Sequence, residues 1–226
     1  MIAAIIIAVI LNIALYFNLK PECFENFESF PALYINLDHR EDRKNHIESE
    51  LKKIKFNNYQ RFNAVKNKKG YLGCSQSHID CLKIAKANNY PNVMILEDDF
   101  EFLIDKDEFK MILDHLLTVD YDVFILAYNT NSNNITDIGD KYLKKIEGTQ
   151  TTSGYIVNQR YYDKLMANFE EGLRLLKQTD NPRQYAIDMY WKPLQSQDNW
   201  YCYKKRIGKQ RDSYSDIEKG IVRYKV

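Results

Sequence analysis

The apolar run Val93-Met94-Ile95-Leu96, followed at once by Glu97-Asp98-Asp99, most constrains how this chain folds. A short apolar segment bounded by Pro91-Asn92 on one side and by charge on the other fits a strand in a sheet interior. In an open α/β sheet, ligands gather outside the carboxyl ends of the strands. Acidic residues at such an end can hold a hard divalent cation through oxygen, and the cation can grip a diphosphate. Taken alone, the three acids fit a solvated acidic turn better, because charged residues are mostly exposed. The other segments decide between the two.

Ala32-Leu33-Tyr34-Ile35-Asn36-Leu37 predicts a first buried strand. Asp38, three residues before Glu41, predicts a capping-box start. Ile47, Leu51 and Ile54 recur at helical spacing, so residues 41–54 read as an amphipathic helix. Residues 59–65 read as a second strand and residues 70–73 as a turn. Ser77-His78-Ile79-Asp80 is read as capping a helix that runs to about Ala87. A helix over 109–117, strands over 122–127 and 154–157, a helix over 160–169 and an aromatic strand over 199–204 complete the pattern. Strands alternating with helices imply an α/β fold, one domain over residues 31–226 with a mostly parallel central sheet.

The chain has 226 residues, enough for one well-packed domain. Its formal net charge of +1 gives no reason to expect a nucleic-acid partner. The 17 Tyr and 11 Phe could supply sugar-binding surfaces, although core and strand positions account for most such residues. The four cysteines, Cys23, Cys74, Cys81 and Cys202, show no CxxC spacing, which argues against zinc. Cys74 and Cys81, near two helical turns apart, are placed to share a face.

Residues 2–17 are almost wholly apolar, broken by Asn12. As a helix this run is about 24 Å long at about 1.5 Å per residue. Including Asn18 and Leu19 makes it adequate for a bilayer core of about 30 Å. No Lys or Arg precedes it and no A-x-A site follows, so residues 1–19 read as an uncleaved signal anchor through which the chain meets the membrane. Residues 20–30 read as a stem. Lys20 on the carboxyl side leaves the orientation open. The sequon Asn134-Ile135-Thr136 matters if the domain is lumenal.

Three segments stand together: Tyr34-Ile35-Asn36-Leu37-Asp38-His39-Arg40-Glu41-Asp42-Arg43, Gly73-Cys74-Ser75-Gln76-Ser77-His78 and Ile95-Leu96-Glu97-Asp98-Asp99. In this order and spacing they resemble glycosyltransferase family 25, whose members include lipopolysaccharide and procollagen galactosyltransferases. Ile207-Gly208-Lys209-Gln210, followed by Ser213-Tyr214-Ser215-Asp216-Ile217, is similar to the ending of collagen-type and viral members. The resemblance implies a GT-A fold and a UDP-sugar donor, often UDP-galactose. It also implies inverting transfer to an acceptor hydroxyl on a glycan or protein, with Mn²⁺ or a similar cation. With the anchor, it implies a lumenal, ER- or Golgi-type catalytic domain.

By that resemblance Glu97-Asp98-Asp99 matches the DxD motif, with Asp99 the principal metal ligand, Glu97 an outer or water-mediated one, and Asp98 at the donor. Arg40 and Arg43 follow the first strand and suit phosphate or uridine oxygens; alternatively they pair locally with Asp38, Glu41 and Asp42. Asn36 lies under the nucleotide or satisfies backbone groups. Ser77 and His78, at a helix amino terminus, would approach the donor. His78 reads as a general base or as a packed histidine ordering the acidic loop. Asp188, in Ala186-Ile187-Asp188-Met189-Tyr190-Trp191, is the candidate base, with a sugar stacked on Trp191 or Tyr190. Lys209 and Arg211 could neutralise diphosphate or form a solvated basic tail. No His follows His115, so a late His on the metal is missing. A non-catalytic glycan- or protein-binding module of the same fold is the competing function, and a metal-dependent phosphoesterase a third.

Overall fold

The computed structural model describes residues 30–129, 134–215 and 220–222. In chain order the elements are β1 (Ala32–Asn36), α1 (Glu41–Lys53), β2 (Tyr59–Asn63), α2 (Gly70–Ala87), β3 (Asn92–Glu97), β4 (Phe100–Phe102), α3 (Lys106–Leu116) and β5 (Val123–Ile125). Then come β6 (Ile135–Asp137), β7 (Leu143–Ile146), β8 (Gly154–Asn158), α4 (Tyr162–Thr179) and the short helices Pro182–Tyr185, Ile187–Tyr190 and Lys192–Gln197. β9 (Trp200–Tyr203) and β10 (Gly208–Gln210) follow, and β11 (Ser213–Ser215) pairs with β12 (Gly220–Val222).

The central strands are apolar on both faces because helices cover both. In β1, Ala32 and Tyr34 join one core while Leu33 and Ile35 join the other. In β3, Met94 and Leu96 face the first core and Val93 and Ile95 the second. α1 and α3 close the first core through Ile47, Leu51, Phe109, Ile112 and Leu113. α2 and α4 close the second through Ile79, Leu82, Leu165 and Phe169. The result is a three-layer α/β/α sandwich.

The main sheet has the order β2-β1-β3-β8-β5-β9-β7-β6. β1, β2, β3, β5, β6 and β9 point one way, and β7 and β8 the other. The predicted α/β fold with most strands in one direction is therefore present, with two reversed strands setting antiparallel pairs between the parallel ones. From β1 the chain passes through α1 to β2 on one side, then through α2 to β3 on the other. Strand order reverses between β1 and β3, and such a switch point opens a crevice at the strands' carboxyl ends.

Three local expectations are corrected. Residues 70–73 are not a turn: α2 begins at Gly70, so Ser77 and His78 lie well inside the helix rather than at its amino terminus. Gly73 is needed there for close approach, since a Cβ on it would sit 2.2 Å from the Val65 carbonyl oxygen. Asp38 does not cap α1, whose N-cap residue is Arg40, with no side-chain capping hydrogen bond. Asp38 instead accepts hydrogen bonds from Arg61 Nη2 (2.7 Å) and Asn63 Nδ2 (2.9 Å), because the turn closed by Arg40 N–H on Leu37 O carries it over β2. Trp191 offers no stacking surface: it is fully buried against Tyr155 and Trp200 and donates its indole N–H to Thr149 O. Tyr190 lies against Gly172 of α4.

The predicted anchor, residues 1–19, and the stem, residues 20–30, lie outside the described residues except for Phe30, which is buried. Among the described residues no helix is long and apolar enough to cross a membrane. Cys74, Cys81 and Cys202 are free thiols.

Phe100, directly after the acidic triplet, fixes the position of the triplet. Its ring is fully buried in the space left by two glycines: a Cβ on Gly154 would lie 2.4 Å from Phe100 Cε2, and one on Gly208 2.1 Å from Cζ. β10 pairs antiparallel with β4 through Gly208 opposite Phe102. Gly208→Ala is accordingly expected to lower stability by about 1–3 kcal/mol, the usual range for overpacking a core. Urea unfolding measures this, and a variant as stable as the parent would contradict the packing.

Candidate functional site

The carboxyl ends of β1 and β3 open into a cavity of about 320 Å³. Its lining brings together all three motif-bearing segments: Asn36, His39 and Arg43; Gly73, Cys74, Ser77 and His78; Glu97, Asp98 and Asp99. They converge because β1 and β3 are parallel neighbours, with Ile35 in register with Glu97, and α2 packs across their ends.

Asp98 and Asp99 are buried, at 7% and 4% exposure. Arg43 of α1 is their counter-charge: its Nη1 is 2.7 Å from Asp98 Oδ1 and 3.3 Å from Asp99 Oδ2. Asn36 braces the pair from β1. Its Nδ2 donates to Asp98 Oδ2 at 2.8 Å and to Arg40 O at 3.0 Å, and its Oδ1 accepts from Arg61 Nε at 3.0 Å. The Asn36 amide is thus engaged inside the protein.

Burial pushes the Asp98 carboxyl up, against Arg43 and Asn36. Burial and the charge of Glu97 raise Asp99 to about 7, against Arg43. Asp99 Oδ1 is buried with no hydrogen-bond partner among the described residues. One guanidinium does not balance two buried carboxylates plus Glu97, and a cation suits the orphaned oxygen.

Glu97 is held from the opposite side. Thr152 Oγ1 donates to its Oε1 at 2.6 Å, and His78 Nε2 lies 3.3 Å from the same oxygen. Burial would raise Glu97, but these two hydrogen bonds, with the charge of Arg43, reverse it and lower the group from its ordinary value. His78 is fully buried, with Nδ1 2.9 Å from Tyr155 Oη and its ring stacked on Tyr155. Ser77 Oγ donates to Gly73 O and accepts the Val65 N–H, tying α2 to the segment after β2.

The remaining candidates lie further out. Arg40 pairs with Asp42 through two 2.9 Å bonds. Lys209 on β10 stands 3.6 Å from Glu101, opposite it in register. Arg211 is exposed, and its backbone N–H bonds Asp99 O at 2.7 Å. Asp188, half-buried, accepts the Thr151 N–H at 3.2 Å and does not line the cavity. Burial pushes its carboxyl up, against the Thr151 N–H, and the charge of Glu97 adds to the rise.

The sequence reading missed the loop over residues 149–153, which links these parts. Thr151 has φ +75°, a rare conformation for a β-branched residue. It turns its N–H to Asp188 and its hydroxyl to Gln210 Oε1 at 2.9 Å. Ser153 O accepts the Glu97 N–H. The available signal was a run of polar side chains directly ahead of a buried strand that runs antiparallel to β3 and so starts beside its end.

A scan of protein-family models finds no match, and no curated protein matches the chain. Among solved structures, A197 from STIV is similar over 87% of this chain and 99% of its own, at 10% identity and TM-score 0.44. Mannose-1-phosphate geranyltransferase from Thermus thermophilus is similar over 81% of this chain and 74% of its own, at 9% identity and TM-score 0.48. A glycosyltransferase involved in glycosylation of the major capsid of PBCV-1 is similar over 77% and 92%, at 9% identity and TM-score 0.42. Likenesses this distant do not assign an activity.

The raised Asp99 has a consequence for stability. Between about pH 4 and about pH 7 the folded state keeps the Asp99 proton that the unfolded chain has lost, so this group subtracts stability as pH rises through that window. Asp99→Asn is expected to melt with the parent near pH 4 and about 2–4 °C above it at pH 8, the shift that about 1 kcal/mol gives in a domain of this size. A difference in Tm that does not grow with pH would contradict this charge balance.

Proposed function

We propose that the chain is a sugar transferase related to glycosyltransferase family 25. It transfers a hexose, with galactose the leading choice, from a UDP-sugar to a hydroxyl on a glycan or protein, with inversion. The observation that carries the reading is the convergence of the three motif-bearing segments on one cavity at the β1–β3 switch point. A nucleotide fits such a crevice, and the uncompensated acids around Asp99 suit a divalent cation. The carboxylates of Asp99 and Glu97 would hold that ion, Mn²⁺ by the resemblance, and it would neutralise charge developing on the diphosphate leaving group.

In this reading Arg43 and Asn36 fix the acids rather than grip the donor. Asp98 serves as the link between them. Asp188, which lies behind the loop over residues 149–153 rather than in the cavity lining, takes the proton of an acceptor hydroxyl that docks on that side, for which a raised carboxyl is suited. His78 and Ser77 order the acidic loop and α2. Arg40 and Lys209, paired with Asp42 and Glu101, could contact the donor only by leaving those partners. The apolar residues 2–17 would anchor the chain in a membrane with this domain on the lumenal side.

The test is donor hydrolysis by purified protein with UDP-galactose, UDP-glucose and UDP-N-acetylglucosamine, each with Mn²⁺ and with EDTA. Turnover of one UDP-hexose that EDTA abolishes, and that Asp99→Ala lowers by about 100-fold or more, is expected. Turnover indifferent to EDTA and to Asp99→Ala would refute the assignment. UDP binding without any turnover would instead point to a binding module.

A further inference from the structure

We propose that Cys74, His78 and Glu97 form a second kind of cation site, one for a borderline-soft divalent ion such as Zn²⁺, on the wall of the same cavity. One ligand atom from each residue lies within 4.8 Å of the other two. Around a tetrahedral zinc, donor atoms stand about 3.4–3.7 Å apart, given metal bonds of about 2.0–2.3 Å. Closing the present spacing takes about 1 Å, within the reach of side-chain torsions.

The three ligands come from two rigid elements. Cys74 and His78 are four residues apart on α2 and so share a face. Glu97 is the last residue of β3. The missing CxxC spacing, which argues against zinc from sequence alone, does not bear on this arrangement, because the third ligand arrives from a strand end brought close by the fold.

The surroundings have the features of a metal site's outer shell. Tyr155 Oη stands 2.9 Å from His78 Nδ1, which leaves Nε2 directed at Glu97. Thr152 holds the Glu97 carboxylate at 2.6 Å. Partners of this kind fix the tautomer and orientation of ligating groups. All three candidate ligands line the cavity, so a fourth position opens onto it for water or an oxygen of a bound molecule. Binding would send the Cys74 thiol proton to solvent and displace the His78 Nε2 proton, to solvent or to Nδ1, so that the metal-bound imidazole keeps one proton, on Nδ1 facing Tyr155.

Ligand chemistry sets the preference. Thiolate and imidazole suit Zn²⁺ and Co²⁺, whereas Mg²⁺ and Mn²⁺ favour oxygen donors. This site does not depend on sugar transfer. Glu97 is common to both cation readings, so the discriminating residues are Cys74 for this site and Asp99 for the other.

The experiment is optical titration of the full chain, stripped with chelator, first with Co²⁺ and then with competing Zn²⁺. One equivalent of Co²⁺ should produce a thiolate-to-cobalt charge-transfer band that Zn²⁺ abolishes. Cys74→Ala and the near-isosteric Cys74→Ser should lose the band and bind Zn²⁺ at least about tenfold more weakly, with melting curves confirming that both are folded. Asp99→Asn should keep the band. A parent protein without the band, or a band that survives both Cys74 variants, would overturn the proposal, whatever the outcome with UDP-sugars.

Discussion

The buried contact of Arg43 with Asp98 and Asp99 organises the site. Carboxylates taken out of water are tolerated only when paired and hydrogen-bonded, and removing one partner of such a pair typically destabilises by about 3–5 kcal/mol. Arg43 supplies one charge and Asn36 supplies an amide that reaches Asp98. The balance is incomplete, because Glu97 adds a third acid and Asp99 keeps one oxygen unpartnered. It is this unbalanced negative charge at the end of the central strands that supports the proposed cation.

Topology puts that cluster where a ligand can reach it. β1 and β3 run parallel and their crossovers leave to opposite sides, so among the described residues a cavity stays open beyond Asn36 and Glu97. Glycines then allow the close approaches that shape it. Gly73 lets α2 press onto the Val65 carbonyl, and Gly154 with Gly208 makes room for the Phe100 ring directly behind Asp99. The strained Thr151 connects Asp188 and Gln210 to the same neighbourhood.

Much of this was legible in the sequence. The apolar runs marked β1, β3, β5, β8 and β9, and the three motif segments pointed to residues that do share one cavity. What escaped was set by distant partners. Asp38 has the spacing of a capping box but finds Arg61 and Asn63 on the neighbouring strand. Gly70 and Gly73 look like breakers, yet Gly73 serves helix packing. Trp191 looks like a sugar platform but fills the core between Tyr155 and Trp200. The loop over residues 149–153 carries no motif, and its importance comes from hydrogen bonds to Glu97, Asp188, Gln195 and Gln210.

The cluster around Arg43, the switch-point crevice and the elevated Asp99 support the function proposed above, in which a nucleotide diphosphate binds between the ends of β1 and β3 with a cation against Asp99. A crystal structure of the chain grown with UDP and Mn²⁺ tests it most directly. The account predicts diphosphate density in the cavity between Asn36 and Glu97, with the metal bonded to Asp99 Oδ1. UDP bound on another surface, or a cavity in which Arg43 and Asp99 remain as they are with no metal beside them, would contradict it.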